Sequence, residues 1–325
     1  MSKTLLSGVK PSGRPHIGNY FGAMRQFVEM QNEHNCLFMI ADYHAINTNK
    51  DAAKLSNEIL ELFIDYLAIG LNPKKNIIFK QSDVLEHTEL CWIFDSLTTM
   101  PYLMRAHAFK DAEAKNKDIN VGTFNYPMLM AADILLYDVD VVPVGNDQKQ
   151  HIEITRDTAE KFNNTYGEIF KLPEEKILED VAVIPGIDGQ KMSKSYNNTI
   201  PLFATDEEIR SAVMKIPTDS KSVEESKNPD EVIIFQIHKV LLNTSEEKLL
   251  REKYEKGGMG YKEAKDLLIA DLIKFIAPLR ESREKISNNK GKLLKILKKG
   301  GLRAKKIASK KMDAVRKKIG VGLYN

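Results

Sequence analysis

The chain has 325 residues, 42% hydrophobic and 29% charged, ordinary proportions for a globular protein with one large domain and a smaller one. Its two cysteines, Cys36 and Cys91, form no CxxC pair, which argues against a zinc site, an iron–sulfur cluster or a disulfide framework and suits a reducing cytoplasm. The N-terminus lacks the apolar region of a signal peptide, and no apolar run is long enough to predict a membrane span.

The net charge of +3 conceals an asymmetry. Ile286–Asn325 carries 13 Lys/Arg against the single acid Asp313, a local +12, and the remainder stands at −9. A basic end on an acidic body points to a polyanionic partner; a solvated lysine-rich helix that maintains solubility accounts for the same count.

In chain order, Thr4–Gly8 reads as a strand, followed by a Gly/Pro-rich loop and a helix from about Gly18 to Glu33. Cys36–Ala41 reads as a buried strand, Asp51–Ile69 as a helix, Asn76–Phe79 as a third strand, and a helix begins near His87. After a polar stretch from Lys110 to Asn120, a helix is predicted over Pro127–Tyr137, with Pro127 suited to its first position. Val139–Val144 is another strand, and a helix opens at Asp147. This alternation predicts a Rossmann-like α/β fold: a parallel sheet covered on both faces, with ligands beyond the carboxyl ends of its strands.

After about Pro201 only helical periodicity remains: Thr205–Lys215, Pro229–Asn243, Ser245–Lys256, Tyr261–Asn288 and a basic tail, on which Ile307, Met312, Val315 and Ile319 would line one side. The predicted organisation is an α/β domain over 1–195, an all-α domain over 196–288, and a basic C-terminal helix over 289–325.

Two segments carry chemistry. In Lys10-Pro11-Ser12-Gly13-Arg14-Pro15-His16-Ile17-Gly18-Asn19, glycines let the backbone approach a ligand, and the following helix N-terminus faces an anion. His16 can donate to phosphate oxygens, and Gly18 leaves room for a flat base or ribose. In Lys191-Met192-Ser193-Lys194-Ser195, two lysines and two serines with no carboxylate among them can wrap a departing pyrophosphate. Each alone reads equally as a plain surface loop; both together, in this order around an α/β half, point to ATP-dependent activation of a small carboxylic acid.

Two further segments bear on which acid. On the helix running through Tyr126, Met130, Asp133 and Tyr137, these residues share a face, and Asp133 is a lone acid in an apolar stretch. A carboxylate there needs a donor, and an indole nitrogen is only a donor; a core Asp capping a neighbouring loop is the simpler alternative. In Gly145-Asn146-Asp147-Gln148, Asp147 can accept from ribose hydroxyls and Gln148 can reach an amino acid's polar groups, although the same residues suit helix capping.

The first two segments resemble the HIGH and KMSKS signatures of class I aminoacyl-tRNA synthetases. With the Met130–Tyr137 stretch and Gly145–His151, the segments from Leu6 to about Asn198 look like the bacterial-type tryptophanyl-tRNA synthetases, a resemblance that continues more weakly through the helical half. It implies a ligase that joins L-tryptophan to ATP as an adenylate and then transfers it to tRNA(Trp), in the cytoplasm, as a homodimer, with Mg²⁺ accompanying ATP. By this resemblance His16, Lys191 and Lys194 are catalytic. Lys10, Pro11, Ser12, Gly18, Asn19, Gly145, Asn146, Asp147, Ile184, Met192, Ser193 and Ser195 join the two lysines around ATP. Asp133 holds the indole N–H, with Met130, Tyr126, Gln148, His44 and Leu6 around the amino acid. The helical domain would read the anticodon, and the last helix would return to the catalytic domain.

The chain departs from the pattern at three places. Lys10 stands where Gln is usual before Pro-Ser-Gly, Asn146 where Glu is more frequent, and Asn19 in place of the second His of HIGH, as is usual in this subfamily. A tyrosine-specific synthetase of the same fold, and a catalytically silent paralogue that binds tRNA or amino acid, are the other readings.

Overall fold

The structure is a computed structural model and describes residues 2–114, 119–145, 148–177 and 184–323. Its contacts divide the chain into two compact units, one comprising Met1–Gly13, Phe27–Glu179 and Asn289–Asn325, the other Arg14–Gln26 and Asp180–Asn288. The second unit begins at Asp180 rather than at 196 and takes in Arg14–Gln26, so the His16 and Lys191 segments group with the helical residues; it ends at Asn288, and the tail groups with the sheet.

The first unit is built on five parallel strands: β1 (Thr4–Val9), β2 (Asn35–Ile40), β3 (Ile77–Lys80), β4 (Val141–Val144) and β5 (Glu174–Ile177). Their order is β3-β2-β1-β4-β5, with every pairing parallel. β2 is buried from Cys36 to Ile40 and β4 throughout, as expected of strands covered on both faces. From β1 the chain builds outward to β3, then returns to β1's other side as β4. The strand order therefore reverses between β1 and β4, which leaves a crevice at their carboxyl ends.

β5 was not expected. Glu174, Glu175 and Lys176 give it no apolar run, yet it pairs along β4 from Val141↔Glu174 to Val144↔Ile177. It is an edge strand whose charges, including the 2.9 Å Lys3–Glu174 pair, discourage further pairing.

Two further expectations are corrected. The polar stretch after Lys110 overlaps a helix, His107–Ala114. The next helix is Val121–Leu135, not Pro127–Tyr137: Asn120 caps it by accepting from Thr123 N at 2.9 Å, and Pro127 lies inside it. Proline there forfeits one backbone hydrogen bond.

The tail forms one helix, Lys290–Lys318, seated against β3. Its buried face is Leu293, Leu297, Gly300, Gly301, Ala304, Ala308, Met312 and Val315. Ile307, expected on that face, is exposed, while Ile319 packs at its end. Glycine is required at 300, where an added Cβ would sit 1.8 Å from the Ile78 carbonyl oxygen. Arg303 donates to the carbonyls of Pro73 (3.2 Å) and Asn76 (2.8 Å), and Arg316 forks onto both oxygens of Glu89 (2.8 and 2.5 Å).

The second unit is helical. Asp206–Met214 opens with a capping box from Thr205 and Glu208, and Thr244–Lys256 with one from Asn243 and Glu246. Both pack within a unit organised on the long Tyr261–Ser287 helix, which buries Ala264, Leu268, Ile269, Leu272 and Ile276. The single helix expected over Pro229–Asn243 is divided into a 3-10 turn (Pro229–Glu231), an α-helix (Ile233–His238) and a second 3-10 turn (Lys239–Leu241).

Candidate active site

In the second unit the two signature segments are in contact. Backbone bonds Ile17 N→Ile200 O (3.0 Å) and Leu202 N→Pro15 O (2.9 Å) tie the His16 segment to the strand-like stretch after Lys191–Ser195. Ile17–Asn19 is a single α-turn followed by a π-turn, Tyr20–Met24. Its first donors are partly spent: Ile17 N on Ile200 O, and Asn19 N on His16. The free helix N-terminus expected for an anion is therefore only partly available.

His16 and Asn19 cap each other. Asn19 N donates to His16 Nδ1 at 3.3 Å, and His16 N donates to Asn19 Oδ1 at 3.1 Å. An accepting Nδ1 carries no proton, so the neutral ring holds its proton on Nε2 as a donor. Burial, with the Lys194 charge adding to it, pushes the imidazole pKa down to about 4. His16 is thus a neutral donor at physiological pH.

Lys191–Ser195 is held from its flanks. Met192 N donates to Ile184 O (3.1 Å), which engages the Ile184 backbone through its carbonyl. Asn198, 1% exposed, is the hub: its Oδ1 accepts from Ser193 N (2.8 Å), and its Nδ2 donates to Asp188 Oδ1 (2.8 Å) and Lys191 O (3.2 Å). A Cβ at Gly186 would lie 2.2 Å from that Nδ2, so the turn takes only glycine there. Met192 is buried, whereas Lys191, Lys194 and Ser195 point outward and Ser193 is half-buried. The segment is anchored by one apolar side chain with its cations turned to solvent.

In the first unit, Lys10, Pro11 and Ser12 leave the end of β1, and Gly145 leaves the end of β4, on the two sides of the crevice where strand order reverses. Pro11 is buried, Lys10 and Ser12 exposed. Gln148 N donates to Gly145 O at 2.9 Å, and Gln148 stands at the N-cap of the Lys149–Tyr166 helix. Asn146 and Asp147 lie outside the described residues.

Asp133 is 2% exposed, on the Val121–Leu135 helix. Its Oδ2 lies 2.8 Å from His44 Nε2, its Oδ1 accepts from Gln81 Nε2 at 2.7 Å, and His87 Nδ1 stands 2.6 Å from Oδ1. Burial alone would raise its pKa, but the His87 charge and the His44 hydrogen bond outweigh it and hold the carboxyl below its ordinary range. His87 Nε2 continues to Tyr137 OH at 2.8 Å. The donor expected for Asp133 is thus supplied by His44 and Gln81, from two other elements, with His87 beside them.

Around this group, Tyr126 OH meets His151 Nε2, and the Tyr126 ring meets the His44 ring edge-on at 6.0 Å. Met130 is half-buried against the core, and Leu6 is buried in β1. Gln81 and His87 were not anticipated. The signal available was position, since Gln81 directly follows β3 at its carboxyl end, the ligand side of such sheets.

The family model for class I tRNA synthetases (W and Y) matches residues 2–277. The tryptophan–tRNA ligase of Fusobacterium nucleatum is 47% identical over 320 residues, covering 98% of each chain. That of Rhodopirellula baltica is 43% identical over 317 residues, covering 98% of this chain and 99% of the relative. Among solved structures, the Campylobacter jejuni tryptophanyl-tRNA synthetase complexed with ADP and tryptophan superposes with a TM-score of 0.92 at 44% identity, covering 98% and 99%. With its parallel sheet, its paired signature segments and this full-length similarity, the chain belongs to the class I tRNA synthetases for tryptophan and tyrosine.

Proposed function

We propose that the chain is a tryptophan–tRNA ligase. A carboxylate oxygen of L-tryptophan attacks the α-phosphorus of ATP, the bond to the β-phosphate breaks, and pyrophosphate leaves. A ribose hydroxyl at the end of tRNA(Trp) then attacks the adenylate carbonyl, and AMP departs. The observation that carries this reading is similarity over essentially the whole chain, at 43–47% identity, to relatives that bear this activity.

Little covalent help is asked of the protein; positioning and charge stabilisation supply the catalysis. His16, as a neutral Nε2 donor, would bond to phosphate oxygens, and Lys191 and Lys194 would neutralise the leaving pyrophosphate. Mg²⁺ enters with ATP as part of the substrate. Lys10, Pro11, Ser12, Gly18, Asn19, Gly145, Asn146, Asp147, Ile184, Met192, Ser193 and Ser195 are assigned to the nucleotide. Asp133, with Tyr126, Met130, Gln148, His44 and Leu6, is assigned to tryptophan. Asp133 is ionised and buried, and its Oδ2, which meets His44 at 2.8 Å, retains a lone pair for the indole N–H, a donor seeking an acceptor.

The resemblance to the tryptophan enzymes supports a homodimer, and Trp92, 73% exposed, is a side chain such an interface could cover. Among the described residues no helix is long and apolar enough to cross a membrane, and the enzyme is assigned to the cytoplasm. ATP–pyrophosphate exchange with each amino acid tests the reading, and exchange that requires tyrosine would overturn it.

A further inference from the structure

The lysines of the Lys290–Lys318 helix are more than its packing uses. The buried face is made of small and apolar residues, and Arg303, Lys311 and Arg316 are engaged by groups of the sheet unit. The opposite face carries Lys292, Lys295, Lys299, Lys306, Lys310 and Lys317, all exposed. Their spacings of three, four and seven residues place them in one stripe. At 1.5 Å per residue the stripe runs about 37 Å. Two residues interrupt it: Leu302, and Asp313, which is held by Arg316 at 3.0 Å.

Among the described residues none of these six lysines has an ion pair. A helix kept only for solubility would interleave acids at i+4, because like charges at that spacing repel. Here the repulsion stands uncompensated within the chain, and its natural counter-charge is a linear polyanion.

We infer that this stripe docks the phosphodiester backbone of the tRNA substrate, an inference that rests on the ligase reading. The contacts are lysine ammonium to phosphate oxygen, independent of base identity, and they release counterions on binding. The stripe sets affinity and leaves amino-acid activation untouched.

The test is a charge-reversed variant, K295E/K299E/K306E/K310E, with a Lys→Gln version of the same four positions as the neutral control. The wild type and both variants are assayed for tRNA binding across a potassium chloride series and for tryptophan-dependent ATP–pyrophosphate exchange. The expected result is a tRNA Kd raised about tenfold or more, a log–log salt slope shallower by about 3, and unchanged exchange. If the charge-reversed chain fails to fold, the glutamine version is read in its place, with a smaller rise in Kd and the same flattening. Unchanged Kd and slope, with exchange intact, would overturn the inference. So would loss of binding to phosphatidylglycerol vesicles with tRNA binding preserved, which would assign the stripe to a lipid surface. A wild type with no tryptophan-dependent exchange would instead overturn the ligase reading.

Discussion

Met192 packs its sulfur against Gly18: a Cβ added to Gly18 would lie 3.4 Å from Met192 Sδ and 2.9 Å from His16 Nδ1. The two signature segments, 174 positions apart in the chain, are thus fitted to each other through an apolar contact. Gly18→Ala is expected to displace the His16 ring. A shift on the order of 1 Å costs about a hundredfold in a positioned reaction, so ATP–pyrophosphate exchange should fall by about that factor. The melting temperature is expected to move little, and exchange at the wild-type rate would separate this contact from catalysis.

Lys194 acts on His16 through its charge. With a folded pKa of about 4 against an ordinary 6.5, the neutral ring is favoured in the fold. That contribution to stability is complete above about pH 6.5 and is lost as pH falls from 6.5 towards 4. In Lys194→Ala, imidazole NMR should show the His16 pKa rising from about 4 while remaining below 6.5, because burial, the larger cause, persists. No acid limb of the activity profile above about pH 5 should belong to His16.

The same substitution removes a cation from the proposed pyrophosphate site. Lys194→Ala should lower the adenylation rate by about 10²–10³ with little loss of tryptophan affinity, measured by single-turnover kinetics and equilibrium binding. Its exposed side chain predicts an unchanged melting temperature.

Asp133→Asn replaces a two-oxygen acceptor with an amide whose single oxygen cannot serve both His44 and Gln81 and also meet an indole N–H. Tryptophan Kd should rise by at least about tenfold, while ATP binding is spared. The carboxyl's depressed pKa adds stability present above about pH 4 and lost as pH falls below it, so the wild type should lose more stability than the variant on acidification. Calorimetric titration and pH-dependent unfolding measure the two effects.

The tail offers a contrasting pair. Gly300→Ala drives a methyl into the Ile78 carbonyl and should cost about 2–3 kcal/mol in denaturant unfolding. Gly291→Ala on the same helix meets nothing nearer than 4.0 Å and should stabilise by up to about 1 kcal/mol. Equal effects would mean that the tail does not bear on β3.

What could be read in advance followed the physics of each element. β1 to β4 announce themselves because strands buried on both faces are apolar runs. β5 does not, because an edge strand can be charged and still pair through its backbone. The start of the helix through Asp133 is hidden because Asn120-Val121-Gly122-Thr123 has the composition of a loop, while its cap rests on one asparagine oxygen. Ile307 falls outside the tail's buried face because Gly300, Gly301, Ala304 and Ala308 line that face. At the site, the two signature segments and the lone buried acid were legible as local patterns. Gln81, His87 and Asn198 were not, because their roles arise from residues brought together only by the fold.

Exchange of pyrophosphate into ATP, measured with each of the twenty amino acids in turn, identifies the acid this chain activates. Exchange is expected with tryptophan, near background with tyrosine, and the tryptophan signal should be lost in Lys194→Ala. Exchange supported by tyrosine, or no exchange with any amino acid, would contradict the tryptophan reading.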